Sequence, residues 1–170
     1  YVRSGFGYGA NGVRNAGEYT VTIRFLGDAN YEAIADVTLK MTVKKASLTI
    51  KANDATTEYG EAAENAGVTY SGFAGGENED TANVLRGGLT YAYDYMKGNN
   101  AGEYSITPSG LSSENYEITY KAGTLRVLPR TITVTWYDDE TQSAQTYIYP
   151  NDGEYHAPYA VAGGAVNGDR

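Results

Sequence analysis

Apolar and polar residues alternate along most of this chain. The alternation is clearest in seven segments, Tyr19–Phe25, Val37–Val43, Leu48–Ile50, Tyr104–Ile106, Tyr116–Tyr120, Leu125–Val127 and Ile132–Trp136. Successive side chains of a β-strand point to opposite faces of the sheet, so a period of two predicts half-buried strands. Many of these residues are β-branched or aromatic, and such residues pack well on a pleated surface.

Turn-forming residues separate the alternating segments. Asn11-Gly12, Gly75-Gly76 and Asp152-Gly153 are typical examples, and such pairs favour tight turns between strands. Only Asn78–Leu85 suggests one or two helical turns. We therefore predict an all-β protein with little helix, built from small Ig-like β-sandwich units. A β-grasp-like unit that uses Asn78–Leu85 as its helix is the alternative.

Short sequence blocks recur in the same order along the chain. Asn15–Tyr19, which reads Asn-Ala-Gly-Glu-Tyr, recurs as Asn100–Tyr104 at an offset of 85 residues. The other recurring blocks are Asn30–Glu32 with Asn115–Glu117 (offset 85), Leu39–Val43 with Gly123–Val127 (offset 84), Lys45–Ile50 with Pro129–Val134 (offset 84), and Gly72–Glu77 with Gly164–Asp169 (offset 92). Matching blocks in one order at a nearly fixed spacing indicate a tandem repeat.

The recurring blocks predict how the chain is divided. Residues 1–45 are the back half of one repeat unit, residues 46–128 a complete unit, and residues 129–170 the front half of a further unit. No Gly/Ser linker lies at either boundary, so one strand leads almost directly into the next. This arrangement favours a stiff end-to-end array over units on flexible tethers.

The two outer halves raise the question of what completes them. The chain begins at Tyr1 without an initiator methionine or a signal-peptide pattern, so we expect it to be an excerpt of a longer precursor. Each half then exposes an apolar sheet face. We expect the halves to complete one domain, either between neighbouring molecules or by folding back within one chain. Pairing in trans is favoured if the units are elongated.

Composition excludes several classes of protein. The 170 residues include 13 basic and 21 acidic side chains, for a net charge of −8, with no cysteine and one histidine. Thiolate catalysis, disulfides and multi-histidine metal sites are therefore excluded. Scattered cations in an acidic chain disfavour nucleic-acid binding. No apolar run is long enough to insert into a membrane.

Two groups of residues could suggest a catalytic site. His156 lacks the Gly-x-Ser-x-Gly turn that exposes a serine nucleophile, and a surface role is favoured. Asp138-Asp139-Glu140 directly follows a predicted strand, where a solvated turn is more typical than the carboxylate pair of a glycosidase. Since no nucleophile with its base and no acid–base pair emerges, we predict that the chain is not an enzyme.

Two acidic loops bear on the prediction about cofactors. Gly76–Asp80 and Asn151–Glu154 supply the oxygen ligands that calcium prefers, but neither fits the alternating twelve-residue calcium loop. We predict no cofactor, with weak calcium binding left open. The glycine-spaced segment Gly5–Gly9 lacks the preceding strand and following helix of a nucleotide-binding loop. Leu128–Thr131 looks like the start of a sortase signal, but Ile132 follows where that signal has glycine, so a strand connection is favoured.

Tyrosine is the most ambiguous component, with 17 residues. Two pairs of tyrosines, Tyr19 with Tyr104 and Tyr31 with Tyr116, occupy equivalent repeat positions. We expect each of these rings to pack in the core with its hydroxyl reaching a loop. Tyr91, Tyr93 and Tyr95 alternate on one strand face. An exposed row of this kind predicts a platform for stacking sugars or binding a protein.

Motifs along the chain carry a resemblance to a known family. They are Lys45–Ile50, Asp54–Thr56, Tyr59-Gly60, Ser71–Phe73, Asn100–Tyr104, Asn115-Tyr116 and Gly123–Leu125. With them, residues 46–128 resemble the MBG-type repeat of bacterial surface proteins. Asn151–Pro158 and Val166–Asp169 resemble the related YDG, or bacterial Ig-like, variety. Gly76-Glu77 departs from the usual Gly-Asp of the family, which concerns a loop rather than the fold.

The resemblance implies tandem β modules in large secreted or wall-attached proteins, without catalytic residues. From it we expect a structural or adhesive module of an exported bacterial surface protein, acting as an extracellular stalk that presents a binding region. The partners would be neighbouring repeat units and a surface protein or glycan of the host or the bacterium. A carbohydrate-binding module accessory to a secreted enzyme is the alternative.

Overall fold

The computed structural model describes residues 14–137, 151–155 and 158–166. These residues form eleven strands: β1 (Gly17–Phe25), β2 (Ile34–Val43), β3 (Ala46–Ala52), β4 (Ala55–Glu58), β5 (Val68–Ser71), β6 (Arg86–Tyr93), β7 (Gly102–Ser112), β8 (Tyr116–Lys121), β9 (Gly123–Leu128), β10 (Thr133–Tyr137) and β11 (Tyr159–Gly163). The all-β prediction is confirmed. The described residues include no helix that could cross a membrane.

The strands form four sheets. β1 pairs with β2 and β10 with β11 as two-stranded sheets, a three-stranded sheet has the order β5-β3-β8, and a four-stranded sheet has the order β4-β9-β7-β6. The pairings of β3 with β8 and of β4 with β9 are parallel. The chain divides into two compact units. The first includes residues 14–52, 67–92 and 107–122, and the second includes 53–66, 93–106 and the described part of 123–170.

The suggestion of one or two helical turns at Asn78–Leu85 is wrong, because this stretch forms non-helical turns. Asn83 has a φ of 64°, and this left-handed conformation cannot continue a right-handed helix. The side chain of Asn78 accepts hydrogen bonds from the main-chain N–H of Asp80 and the hydroxyl of Thr81. Such local bonds compete with helix formation. The helix of the β-grasp alternative is therefore not found in the described residues.

Each compact unit has its own buried apolar residues. In the first compact unit, Leu48 and Ile50 of β3 are 0% exposed and pack with Val84 and Tyr116. In the second, the buried residues are Tyr95, Ile106, Leu125 and Val127. Burying a side chain such as that of leucine adds about 1.5–3 kcal/mol to the stability of the fold. The alternation predicted for β3 and β9 thus places every second residue in a core.

Two pairs of strands share one register at the spacing of the recurring blocks. In the β1–β2 pair, Gly17 lies opposite Val43. In the β7–β9 pair, Gly102 lies opposite Val127. Adding the sequence offsets of 85 and 84 to the first pair gives the second. The β3–β5 pair has Thr49 opposite Ser71, and the β10–β11 pair has Thr133 opposite Gly163. Here the recurring-block offsets of 84 and 92 convert the first pair into the second.

Candidate functional site

The predicted tyrosine platform is only partly exposed. Tyr91 and Tyr93 lie in β6 and are half-buried. Tyr95 lies beyond the end of β6, is only 4% exposed, and donates its hydroxyl to the carbonyl oxygen of Glu61 at 3.0 Å. Its ring meets that of Tyr104 edge-on, with the centroids 5.1 Å apart. This corrects the prediction for Tyr95, which is a core residue and is not available for stacking a ligand.

The acidic loops use their polar groups in local contacts. Within residues 14–137, 151–155 and 158–166, no three histidine, aspartate or glutamate side chains gather closely enough to hold a metal ion. In the first loop, one carboxylate oxygen of Glu77 accepts from Arg14 at 3.1 Å and the other from Tyr116 at 2.6 Å. In the second, the side chain of Asp152 accepts from the main-chain N–H of Glu154. Glu77 therefore links the side chains of Arg14 and Tyr116.

The contacts of Arg14, Asn15 and Ala16 with Glu77 and Asn115 form what we name the first joint. The main-chain N–H of Ala16 donates to the side-chain oxygen of Asn115 at 2.9 Å. The side-chain nitrogen of Asn115 donates to the side-chain oxygen of Asn15 at 3.1 Å. The joint thus links the segment that enters β1 to the loop that precedes β8, through residues about 100 positions apart.

Tyr116 is a buried residue that contacts Glu77 of the first joint. It is 3% exposed, and its ring meets that of Phe73 edge-on, with the centroids 5.6 Å apart. Its hydroxyl also accepts a hydrogen bond from the main-chain N–H of Ala74 at 2.9 Å. Burial, together with the hydrogen bond to Glu77, raises the pKa of Tyr116, because both favour the protonated phenol. Tyr116 thereby fixes the carboxylate that Arg14 contacts.

The contacts of Arg130 and Val166 with the β4–β5 loop form what we name the second joint. The guanidinium of Arg130 lies 3.0 Å from the carboxylate of Glu61 and donates to the carbonyl oxygen of Tyr59 at 3.5 Å. Gly60 has a φ of 86°, and a Cβ there would run into the side chain of Val166. A groove of about 530 Å³ lies beside these contacts, lined by Tyr59, Asn100, Ala101, Pro129, Arg130, Ile132, Ala162, Gly164, Ala165 and Val166.

The recurring Asn-Ala-Gly-Glu-Tyr turn has the same internal hydrogen bond at both of its positions. The hydroxyl of Tyr19 donates to the carbonyl oxygen of Asn15 at 2.8 Å, and that of Tyr104 donates to the carbonyl oxygen of Asn100 at 2.7 Å. The prediction that these hydroxyls reach a loop is confirmed, but both rings are half-buried rather than buried in the core. The core prediction is wrong for Tyr31, which is 67% exposed. Its counterpart Tyr116 is buried because its ring packs against Phe73. Each turn also lines the cavity at its joint: Ala16 at the first joint, and Asn100 with Ala101 at the second.

Comparison with known protein families gives a match in the middle of the chain. Residues 48–126 match the model of the MBG domain, YGX type. The segment 48–126 is similar to the MBG domain family. The match confirms the MBG-type resemblance of residues 46–128 and covers most of that predicted complete unit. No curated protein and no solved structure matches the chain.

The structure brings together residues that the sequence did not single out as a site. Asn115 and Glu77 belong to recurring blocks, but the sequence marks them only as parts of the repeat and of a loop. The signal for a joint was the recurrence of the Asn-Ala turn ahead of each predicted boundary. His156, Asp138-Asp139-Glu140 and Gly5–Gly9 lie outside the described residues.

Proposed function

We propose that the chain consists of repeated β units, bounded as residues 1–45, 46–128 and 129–170, that serve as a non-catalytic stalk of an exported bacterial surface protein. The stalk would hold a binding region away from the cell. The carrying observation is the shared register of the strand pairs. Gly17 opposite Val43 and Gly102 opposite Val127 are related by the sequence offsets. Matching registers at the offsets of the recurring blocks are expected of copies of one unit.

The joints support a mechanical role for the array. Only Lys44 and Lys45 separate the end of β2 from the start of β3, and Lys44 lines the same small cavity as the residues of the first joint. At the second joint, Arg130 reaches back to the loop after β4. Short connections braced by side-chain contacts limit bending between neighbouring units. Such an array keeps its two ends at a nearly fixed separation, as a stalk requires.

The family match supports the location and the absence of chemistry. MBG domains are a non-catalytic repeat family typical of bacterial surface proteins, and residues 48–126 match that family. The acidic charge and the lack of cysteine agree with a bacterial exterior. On this proposal the partners are neighbouring units of the same protein.

A glycan-binding experiment separates the stalk from a carbohydrate-binding module. The chain and the Tyr91→Ala/Tyr93→Ala variant are applied to an array of bacterial and host glycans. The stalk proposal predicts the same background signal for both. Saturable binding to one class of glycan that the double variant loses would overturn the proposal and establish a carbohydrate-binding module.

A further inference from the structure

We propose that the Asn-Ala-Gly-Glu-Tyr turn is a docking element and that Asn115 is its receptor in the unit that follows. Their contact would fix the orientation of the β1–β2 hairpin relative to the β5-β3-β8 sheet. This inference rests on the proposed function, because it treats the hairpin as the end of a preceding repeat unit. It names the residues by which one unit recognises the unit before it.

The turn is preformed before it meets its receptor. The hydroxyl of Tyr19 holds the carbonyl oxygen of Asn15 at 2.8 Å within the turn itself. This bond closes the turn on itself and leaves the main-chain N–H of Ala16 for an external acceptor. A preformed element loses less conformational entropy on docking than a flexible one. The internal bond therefore prepares the turn to be recognised.

Asn115 suits the turn because a carboxamide carries both an acceptor and a donor. Its side-chain oxygen accepts from the N–H of Ala16 at 2.9 Å, and its nitrogen donates to the side chain of Asn15 at 3.1 Å. One planar group thus contacts two consecutive residues of the turn. A hydrophobic residue at this position would satisfy neither contact.

The backbone of Asn115 is fixed independently of its side chain. The main-chain N–H of Asn115 donates to the hydroxyl of Ser113 at 3.2 Å, and its carbonyl oxygen accepts from the N–H of Ala46 at 2.9 Å. A change of side chain at Asn115 leaves both bonds in place. Loss of docking can therefore be separated from loss of the local fold.

The charged contact next to Asn115 adds little selectivity. Glu77 is 14% exposed at its side chain, whereas Arg14 is 71% exposed. Ion pairs with one partner in solvent contribute little to stability and weaken with salt. The ion pair assists docking, but the carboxamide is the group that reads the turn.

The same docking element recurs at the second joint. There the hydroxyl of Tyr104 holds the carbonyl oxygen of Asn100 at 2.7 Å. Asn100 and Ala101 line the groove of the second joint together with Ala162 and Val166. The complete unit thus contributes a receptor to the first joint and a docking turn to the second, as a self-propagating array needs.

A distance measurement between two spin labels tests the role of Asn115 in the full chain. The absence of cysteine allows cysteines to be placed at the exposed positions Thr22 in β1 and Lys51 in β3. The unmodified joint predicts one narrow distribution of distances. Asn115→Ala removes two hydrogen bonds, so the ratio of docked to undocked chains should fall by about tenfold or more, and the distribution should broaden.

Two further variants make the result decisive. Asn30→Ala changes the equivalent residue of the first segment and should keep the narrow distribution. Asn15 lies outside the sheets. Asn15→Ala removes one of the two hydrogen bonds and should broaden the distribution of distances less than Asn115→Ala does. It also serves if Asn115→Ala does not fold.

The outcomes separate the two proposals. If Asn115→Ala and Asn15→Ala both remain as narrow as the parent chain, Asn115 is not the receptor, and the stalk proposal stands. If the parent chain itself gives a broad distribution, the joint is not stiff, and both the docking role and the stiff stalk are overturned.

Discussion

The buried hydroxyl of Tyr116 donates a hydrogen bond of 2.6 Å to the carboxylate of Glu77. The phenol is 3% exposed, and the carboxylate belongs to an acidic loop that the sequence suggested for calcium. The bond holds this loop against the core and places its other oxygen next to Arg14. A loop that looks like a ligand site in sequence is thus part of the packing between elements.

This bond predicts how the stability of the chain depends on alkaline pH. Burial, and then the bond to Glu77, raises the pKa of Tyr116 above its ordinary value of 10.0. A phenol whose folded pKa exceeds its unfolded pKa stabilises the fold fully below the unfolded value. That contribution disappears as the pH rises through the folded pKa. The free energy of unfolding should therefore be steady near neutral pH and fall above about pH 10.

Tyr116→Phe isolates this contribution. The variant keeps the ring but lacks the hydroxyl, so it should lose about 1–2 kcal/mol at neutral pH. The difference from the parent chain should shrink as the pH rises. Urea unfolding of both proteins between about pH 8 and 11 measures it. A difference that stays constant over this range would contradict the assignment to Tyr116.

Tyr104→Phe tests the internal bond of the docking turn. The variant loses the 2.7 Å hydrogen bond to Asn100 and keeps the edge-on contact with Tyr95. We expect a loss of about 1 kcal/mol in urea unfolding. Tyr155→Phe is the matched control, because Tyr155 is fully exposed and should change stability little. Equal stability of the two variants would show that the bond does not contribute.

Gly72→Ala tests the close approach between β3 and the end of β5. Gly72 has a φ of 111°, and a Cβ there would run into the carbonyl oxygen of Ser47. Gly76 has a φ of 77° with nothing within 4 Å of a Cβ. Gly76→Ala should therefore cost only about 1–2 kcal/mol for the left-handed backbone. Gly72→Ala should cost clearly more, because strand β3 must also shift.

Thermal unfolding of the two glycine variants provides the measurement. The larger loss is expected for Gly72→Ala, accompanied by faster amide exchange in β3 and β5. At the equivalent Gly164, with a φ of 86°, an added Cβ would lie 3.1 Å from the carbonyl oxygen of Thr131, a milder contact than at Gly72. Gly164→Ala should therefore lose less stability than Gly72→Ala. If Gly72→Ala and Gly76→Ala lose the same stability, the close approach plays no part.

The strands were predictable because their period of two lies in local sequence. β3 and β9 alternate in burial as in polarity, and Tyr19 and Tyr104 have the hydroxyl contacts expected of them. Equivalent positions in two recurring blocks supported this last inference, but they did not fix burial, since Tyr116 is buried and its counterpart Tyr31 is exposed. Local pattern and repeat spacing therefore carried most of what was right about the fold.

The residues that escaped prediction depend on contacts far apart in sequence. Tyr95 continues the alternation of Tyr91 and Tyr93, but β6 ends before it, and contacts with Glu61 and Tyr104 bury its ring. The first joint pairs Ala16 with Asn115, about 100 residues away. One sequence gives no measure of which distant polar groups meet, so the joint could be recognised only in the structure.

Small-angle X-ray scattering tests the central claim most directly. The samples are arrays of one to four copies of the unit 46–128, joined by connections with the sequence of residues 44–45. Stiff joints predict that the maximum dimension grows by a constant increment for each added copy, at low and high salt. Growth that slows with each copy, as for units on flexible tethers, would contradict the account of the chain as a stalk.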